Sequence, residues 1–189
     1  MSPPRSSAAP HTHTHTQPAT DTTALTHELA DLRQEVRRLA DHAELRALFD
    51  RYVLSLDDIG TDSDPGTDLL AHSRIFTPDA TFAFPIGTTR GAAGYTEFRR
   101  LARARWAHTH HLGGSHDIEV TGDHATLRAH QNAVHLHHGP EPATPFTVGG
   151  RYEIDAVRTP AGWRLHHVVF HVVTTTGDPL PRFAHTART

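Results

Sequence analysis

The sequence predicts an α+β domain in which helices come first and a long antiparallel sheet follows. Leu25, Leu29, Leu32, Val36 and Leu39 repeat at helical spacing, then give way to a wider stripe at Leu45, Leu48, Phe49, Tyr52, Leu56 and Ile59. Four strand-like stretches follow in series at about 108–121, 124–138, 146–158 and 162–175. Gly122-Asp123, a Gly139–Pro145 loop and Thr159-Pro160-Ala161-Gly162 supply the joints between them. Such a sheet, strongly curved and wrapped around helices, is expected to make a cone whose concave face holds a ligand pocket.

Residues 1–23 carry Pro3, Pro4, Pro10, Pro18 and an HTHTHT run with almost nothing to bury, so a disordered tail is expected there. From Ala24 to about Ile59 the pattern is a long helix. Its first half, a four-three seam of about two heptads, is expected to pack on a partner subunit or on the outside of its own domain. The second half carries the wider stripe suited to lying across a sheet. Gly60–Gly66 reads as a loop, and Thr67–Phe76 as a short helix that Pro78-Asp79 ends. Ala80–Ile86 is strand-like, and Gly91–Trp106 returns to helix with Tyr95, Phe98, Leu101 and Ala102 on one side. The arginines between Arg99 and Arg105 read as that helix's solvated face. The domain is expected over 24–176, with a loose tail at 177–189.

The 189 residues hold no cysteine, which excludes disulfides, thiolate nucleophiles and zinc-thiolate sites. No apolar run approaches the ~20 residues that span a bilayer, and the polar N-terminus has no signal-peptide core. A cytoplasmic, soluble chain is expected. A net charge of −3 gives no electrostatic reason for a nucleic-acid partner. The expected partners are a small-molecule substrate and, through the leucine seam, further copies of the chain.

Chemistry concentrates between Trp106 and His138. On the second of these strands Ala125, Leu127, Ala129, Ala133 and His135 share one side by the period of two, with His124, Thr126, Arg128, His130 and Asn132 on the other. His135 therefore faces the buried or cavity side, as a satisfied core residue or as a proton carrier. On the first strand His111 competes with His108 and His110 for the inward positions, because a slip of one residue exchanges them. Asp57 lies on the flank of Phe49 and Val53, while Asp58 points the opposite way. Asp57 is then a water-facing residue at a helix end or an acid–base partner. Tyr152 shares a face with Phe146, Val148 and Ile154, as core or as a donor to a substrate oxygen. His167 and His171 share a face of the last strand, with structural and pocket-lining roles both open. A metal reading would recruit His108, His110 and His135 or His137, although no Asp or Glu accompanies them in those strands.

The ordered strings LRALFDRYVLSLDD, IFTPDATFAF, THHLGG, GDHATLRA, VGGRYE and GWRLHH resemble the SnoaL-like group of the nuclear transport factor 2-like superfamily, from about residue 38 to 175. Within that superfamily the strings are most similar to scytalone dehydratase and polyketide cyclases, with ketosteroid isomerase and limonene epoxide hydrolase further off. The resemblance implies an Asp that orients one His while a second His stands across the pocket, and these fall on Asp57, His111 and His135. The two tyrosines of the dehydratase fall on Leu56 and Phe84, and its pocket Ser and Asn near Gly150 and Tyr152. The acid–base core is thus matched while the substrate-reading positions differ, which implies a substrate other than scytalone. The implied activity is a dehydratase, cyclase, isomerase or epoxide-opening enzyme that needs no metal or nucleotide. It would act on a small cyclic oxygenated, polyketide-like metabolite, with Tyr52, Phe84, Tyr152 and His171 as candidate substrate contacts. A pocket that binds without turnover is the alternative within the same fold.

Overall fold

The computed structural model describes residues 22–58, 72–139 and 144–178. The expectations for the tail at 1–21, the 60–66 loop and the segment from 179 lie outside these residues. Helix α1 runs Thr22–Asp57, and strands β1 (Phe76–Phe84) and β2 (Gly87–Arg90) precede helix α2 (Gly91–Arg105). Strands β3 (His108–Thr121), β4 (His124–Leu136), β5 (Phe146–Thr159) and β6 (Gly162–Thr176) complete the chain. Among the described residues, no helix is long and apolar enough to cross a membrane.

The chain divides into two units, Met1–Val36 and Arg37–Thr189. In the first, Leu25, Leu29, Leu32 and Val36 are all exposed. The second is the α+β domain. Its six-stranded sheet has the order β2-β1-β6-β5-β4-β3. The four long strands form the expected antiparallel meander, whereas β1 pairs with β6 in parallel, so the sheet is mixed.

The long strands begin and end within two residues of the expected positions. Two differences occur around β1. Only residues 72–75 are helical in the described part of the expected Thr67–Phe76 helix, and β1 opens at Phe76 and continues through Pro78-Asp79. Proline is tolerated there because the β1–β6 register skips from Phe76 to Thr81, where no ladder hydrogen bond is required of it. The short strand β2 was not anticipated; it pairs residues 87–90 back onto the end of β1.

Apolar burial holds the layers together. Leu45, Leu48, Phe49, Tyr52 and Val53 of α1 pack with Leu127, Tyr152, Ile154, Leu165 and Val168 of the sheet. Each fully buried side chain of this size contributes about 1.5–3 kcal/mol. Polar contacts fix where this packing begins: Asp41 accepts from Trp163 Nε1 at 3.2 Å and pairs with Arg158 at 2.7 Å. Arg158 in turn lies 4.3 Å over the Trp163 ring.

Candidate active site

A glycine brings α1 to the site. A Cβ on Gly113 would lie 2.7 Å from Phe49 Cε1 and 3.0 Å from Val53 Cγ2, so the helix rests on bare β3 backbone. Phe49, Val53 and Asp57 follow each other at spacing four, and the carboxylate of Asp57 therefore arrives over Thr109 and His111. His111 Nδ1 is 2.6 Å from Asp57 Oδ1, and the His111 backbone N–H donates to Oδ2 at 3.0 Å. Thr109 Oγ1 donates to Oδ1 at 3.2 Å. Inward placement falls to Thr109 and His111, while His108 and His110 are exposed, His110 with its Nδ1 3.9 Å from Asp57 Oδ2.

Arg99 holds the helix end. It is 6% exposed and donates through Nη1 to the Ser55 carbonyl and through Nη2 to the Asp58 carbonyl at 3.1 Å. The first is among the last carbonyls of α1 and the second belongs to the residue that follows it, where carbonyls lack partners within the helix. The expected solvated arginine face thus holds for Arg100, which pairs with Glu97, but not for Arg99. Its spacing of four from Tyr95 was the available signal.

His135 stands across from His111 with ring centroids 5.4 Å apart and planes nearly perpendicular. Its Nδ1 lies 3.3 Å from the Phe146 carbonyl, which can only accept, so Nδ1 carries the proton. The same logic assigns the proton of His111 to the nitrogen facing Asp57. Both rings then present an Nε2 lone pair. Burial pushes His135 down to about 4, helped by the neighbouring His111. Burial also lowers His111, outweighing the hydrogen bond to Asp57, which acts the other way. Both imidazoles are neutral near pH 7.

These groups open on a cavity of about 660 Å³ walled by Phe84, Phe98, Trp106, Phe146 and Phe170. Tyr52 and Tyr152 line it too, with Tyr52 donating to the Tyr152 hydroxyl at 3.2 Å. Burial raises both phenols well above their ordinary range. Tyr152 is thus both core and cavity wall. Of the sequence-predicted residues, Asp57, His111 and His135 come together, and Tyr52, Phe84 and Tyr152 line the same cavity. His171 does not: its neighbours Phe170 and Val172 line the cavity, while its Nε2 lies 3.1 Å from Glu153 Oε2. Gln131, Trp106, Thr109 and Arg99 line the cavity and were not anticipated. The proposed metal histidines do not converge: His108 and His110 are exposed, whereas His135 lines the cavity. Among the described residues, no group of three or more His, Cys, Asp or Glu is placed to hold a metal ion.

Three solved structures show the fold shared. A protein of Kribbella flavida, Kfla4162, is 27% identical with a TM-score of 0.61, covering 74% of this chain and 95% of its own. A provisionally assigned scytalone dehydratase of Novosphingobium aromaticivorans is 16% identical with a TM-score of 0.64, covering 76% and 91%. The hexachlorocyclohexane dehydrochlorinase LinA-type3 of Novosphingobium barchaimii is 18% identical with a TM-score of 0.64, covering 76% and 93%. No curated protein matches the chain. The sequence family described as the SnoaL-like domain matches residues 37–169. The chain belongs to the SnoaL-like domain family and has the nuclear transport factor 2-like fold.

Proposed function

We propose that this protein is a cofactor-independent acid–base enzyme of the lyase or isomerase type, a dehydratase or cyclase acting on a small cyclic, oxygenated, polyketide-like metabolite. The observation that carries this reading is the 2.6 Å contact between Asp57 and His111 at the wall of an aromatic cavity. The names of two structural neighbours, a dehydratase and a dehydrochlorinase, denote eliminations, and they support the same class.

The chemistry follows from the protonation states. Neutral His111 removes a proton from carbon beside a carbonyl through its free Nε2, and the C–H electron pair becomes the new double bond as hydroxide departs. The imidazolium that forms faces the Asp57 carboxylate, which stabilises it without taking its proton. His111 returns that proton to the departing oxygen, so water leaves and the base is restored. His135, whose Nδ1–H is held by the Phe146 carbonyl, accepts a hydrogen bond from a substrate hydroxyl and fixes the ring over His111. In a cyclase the carbanion attacks a second carbonyl instead, and the returned proton goes to the alkoxide formed.

The test is turnover across a panel of hydroxylated bicyclic ketones, followed by the absorbance of the conjugated product. His111→Ala is expected to lower the rate by roughly 10²–10⁴-fold. Asp57→Asn is expected to retain the fold and lose much of the rate, and chelation is expected to leave turnover intact. Wild-type turnover by His111→Ala would remove the dyad from the mechanism. Saturable binding without turnover by the wild type would make the cavity a carrier site.

A further inference from the structure

The cavity contains a buried acceptor that the acid–base chemistry does not use. Gln131 is 5% exposed, lines the cavity, and its Oε1 has no hydrogen-bond partner among the described residues. Its position is built by the sheet. Gln131 pairs across β3 with Gly113 and across β5 with Gly150, so both lateral neighbours lack a side chain. Phe49 closes over the first glycine and Phe170 over the second, leaving a slot for one long side chain in the cavity wall. Within that slot the Gln131 side chain is hydrogen-bonded to the Tyr152 hydroxyl, which Tyr52 also holds. That contact holds one end of the amide in the cavity wall, while its oxygen, shielded from water, has no partner among the described residues. A buried amide oxygen left unmet is costly, and a ligand donor removes that cost.

We propose that Gln131 is a specificity-determining residue whose Oε1 accepts a hydrogen bond from a hydroxyl on the molecule bound in the cavity. The proposal rests on the cavity being the substrate site, and it narrows the substrate class to largely apolar rings bearing a hydroxyl remote from the reacting carbon. The register sets the separation. Ala133 pairs with His111, and Gln131 is two residues further along β4, about 7 Å away. A displacement of that order along the sheet suits a ligand longer than one six-membered ring, with the reacting carbon toward His111 and the hydroxyl toward Gln131.

The test compares 2-naphthol with 2-methoxynaphthalene, which differ only in the donor, by calorimetric titration of the full chain. Wild type is expected to bind 2-naphthol at least tenfold more tightly. Gln131→Met keeps the shape without the acceptor and should bring 2-naphthol down to the affinity of the ether, leaving the ether unchanged. Gln131→Glu, which keeps an acceptor, should preserve the preference, and circular dichroism checks that both variants fold. Asp57→Asn should leave the ratio intact, so failure of the acid–base reading would not disturb this result. Equal affinity of the two probes for wild type, no binding of either, or a preference that survives in Gln131→Met would overturn the proposal. So would a preference lost in Asp57→Asn, since the dyad would then be reading the hydroxyl.

Discussion

The two cavity histidines differ in what holds their Nδ1 protons, and this difference decides their chemistry. His111 faces a carboxylate and gains basicity from it, whereas His135 faces a neutral carbonyl that offers an imidazolium much less. Folding holds His135 neutral down to about pH 4 from an ordinary value of 6.5, so the unfolded chain binds more protons between those limits. Stability is therefore full above pH 6.5 and is lost as pH falls toward 4, by an amount of order 2–3 kcal/mol. Denaturant melts at pH 7 and pH 5 should show this loss in wild type and a smaller one in His135→Phe; equal losses would place the titration elsewhere. His135 was legible because strand parity and the family resemblance agreed on it, whereas Asp57 and His111 were singled out by the resemblance, since helix spacing and strand register each left an alternative open. Two other residues show what parity alone cannot see. Trp163 and Leu165 face inward, and the same count would turn His167 and His171 inward as well. An extra residue at His166, where the β5 register jumps from Ala156–Leu165 to Asp155–His167, turns Val168 and Phe170 inward instead. Gln131 has the parity of His135, but a polar residue among alanines does not register in a search for an apolar face.

At the scale of elements, α1 and β3 form the site by approaching more closely than ordinary side chains allow. The sequence carried the stripe Leu45–Tyr52 and the strand 108–121, but not the contact between them, since a glycine in a strand does not name what covers it. Gly113→Ala should force Phe49 or Val53 to move, at about 1–3 kcal/mol. For a domain of this size that lowers Tm by roughly 2–4 °C per kcal/mol. The loss should shrink in a Phe49→Leu background, where the clashing ring is gone; a loss of the same size there would mean that the helix does not rest on Gly113. Arg99 acts on the same element from the other side. Arg99→Ala leaves the Ser55 and Asp58 carbonyls without their donor and frees the turn that carries Asp57. Turnover by Arg99→Ala should fall through kcat more than KM, with the acid limb of the pH profile shifted as the Asp57–His111 contact loosens. Arg99→Lys should recover only part of this, since one ammonium cannot copy the two-pronged contact. An unchanged pH profile would show that Arg99 merely lines the cavity. Its role escaped the sequence because a charged residue on a helix is ordinarily solvated, and only its two partners, 41 and 44 residues earlier in the chain, make burial tolerable.

At the scale of the molecule, the leucine seam of α1 remains to be covered. Leu25, Leu29, Leu32, Val36 and Leu39 are between 45% and 63% exposed, a continuous apolar stripe of the kind that soluble chains bury on a partner. The pattern argues for which partner. With Leu25, Leu32 and Leu39 at d and Leu29 and Val36 at a, Glu28 falls at g and Arg33 at the following e. In a parallel, in-register pair the Glu28 of each helix then meets the Arg33 of the other, twice by symmetry. An antiparallel pair would instead set Glu28 and Glu35 against their own kind. A β-branched residue at a with leucine at d also favours two strands over three. Two heptads are short for a coiled coil alone, so the pairing should be reversible and concentration-dependent. Light scattering at tens of micromolar should give twice the 20.8 kDa chain mass and shift toward the monomer on dilution. Leu29→Lys with Leu32→Lys should yield monomer at every concentration, with Tm of the folded domain little changed because neither residue packs on its core. Glu28→Lys alone should weaken the pair, and Glu28→Lys with Arg33→Glu should restore it, a rescue that simple apolar stickiness would not produce. A monomer mass for the wild-type chain throughout this range would show that the seam is not a contact between copies.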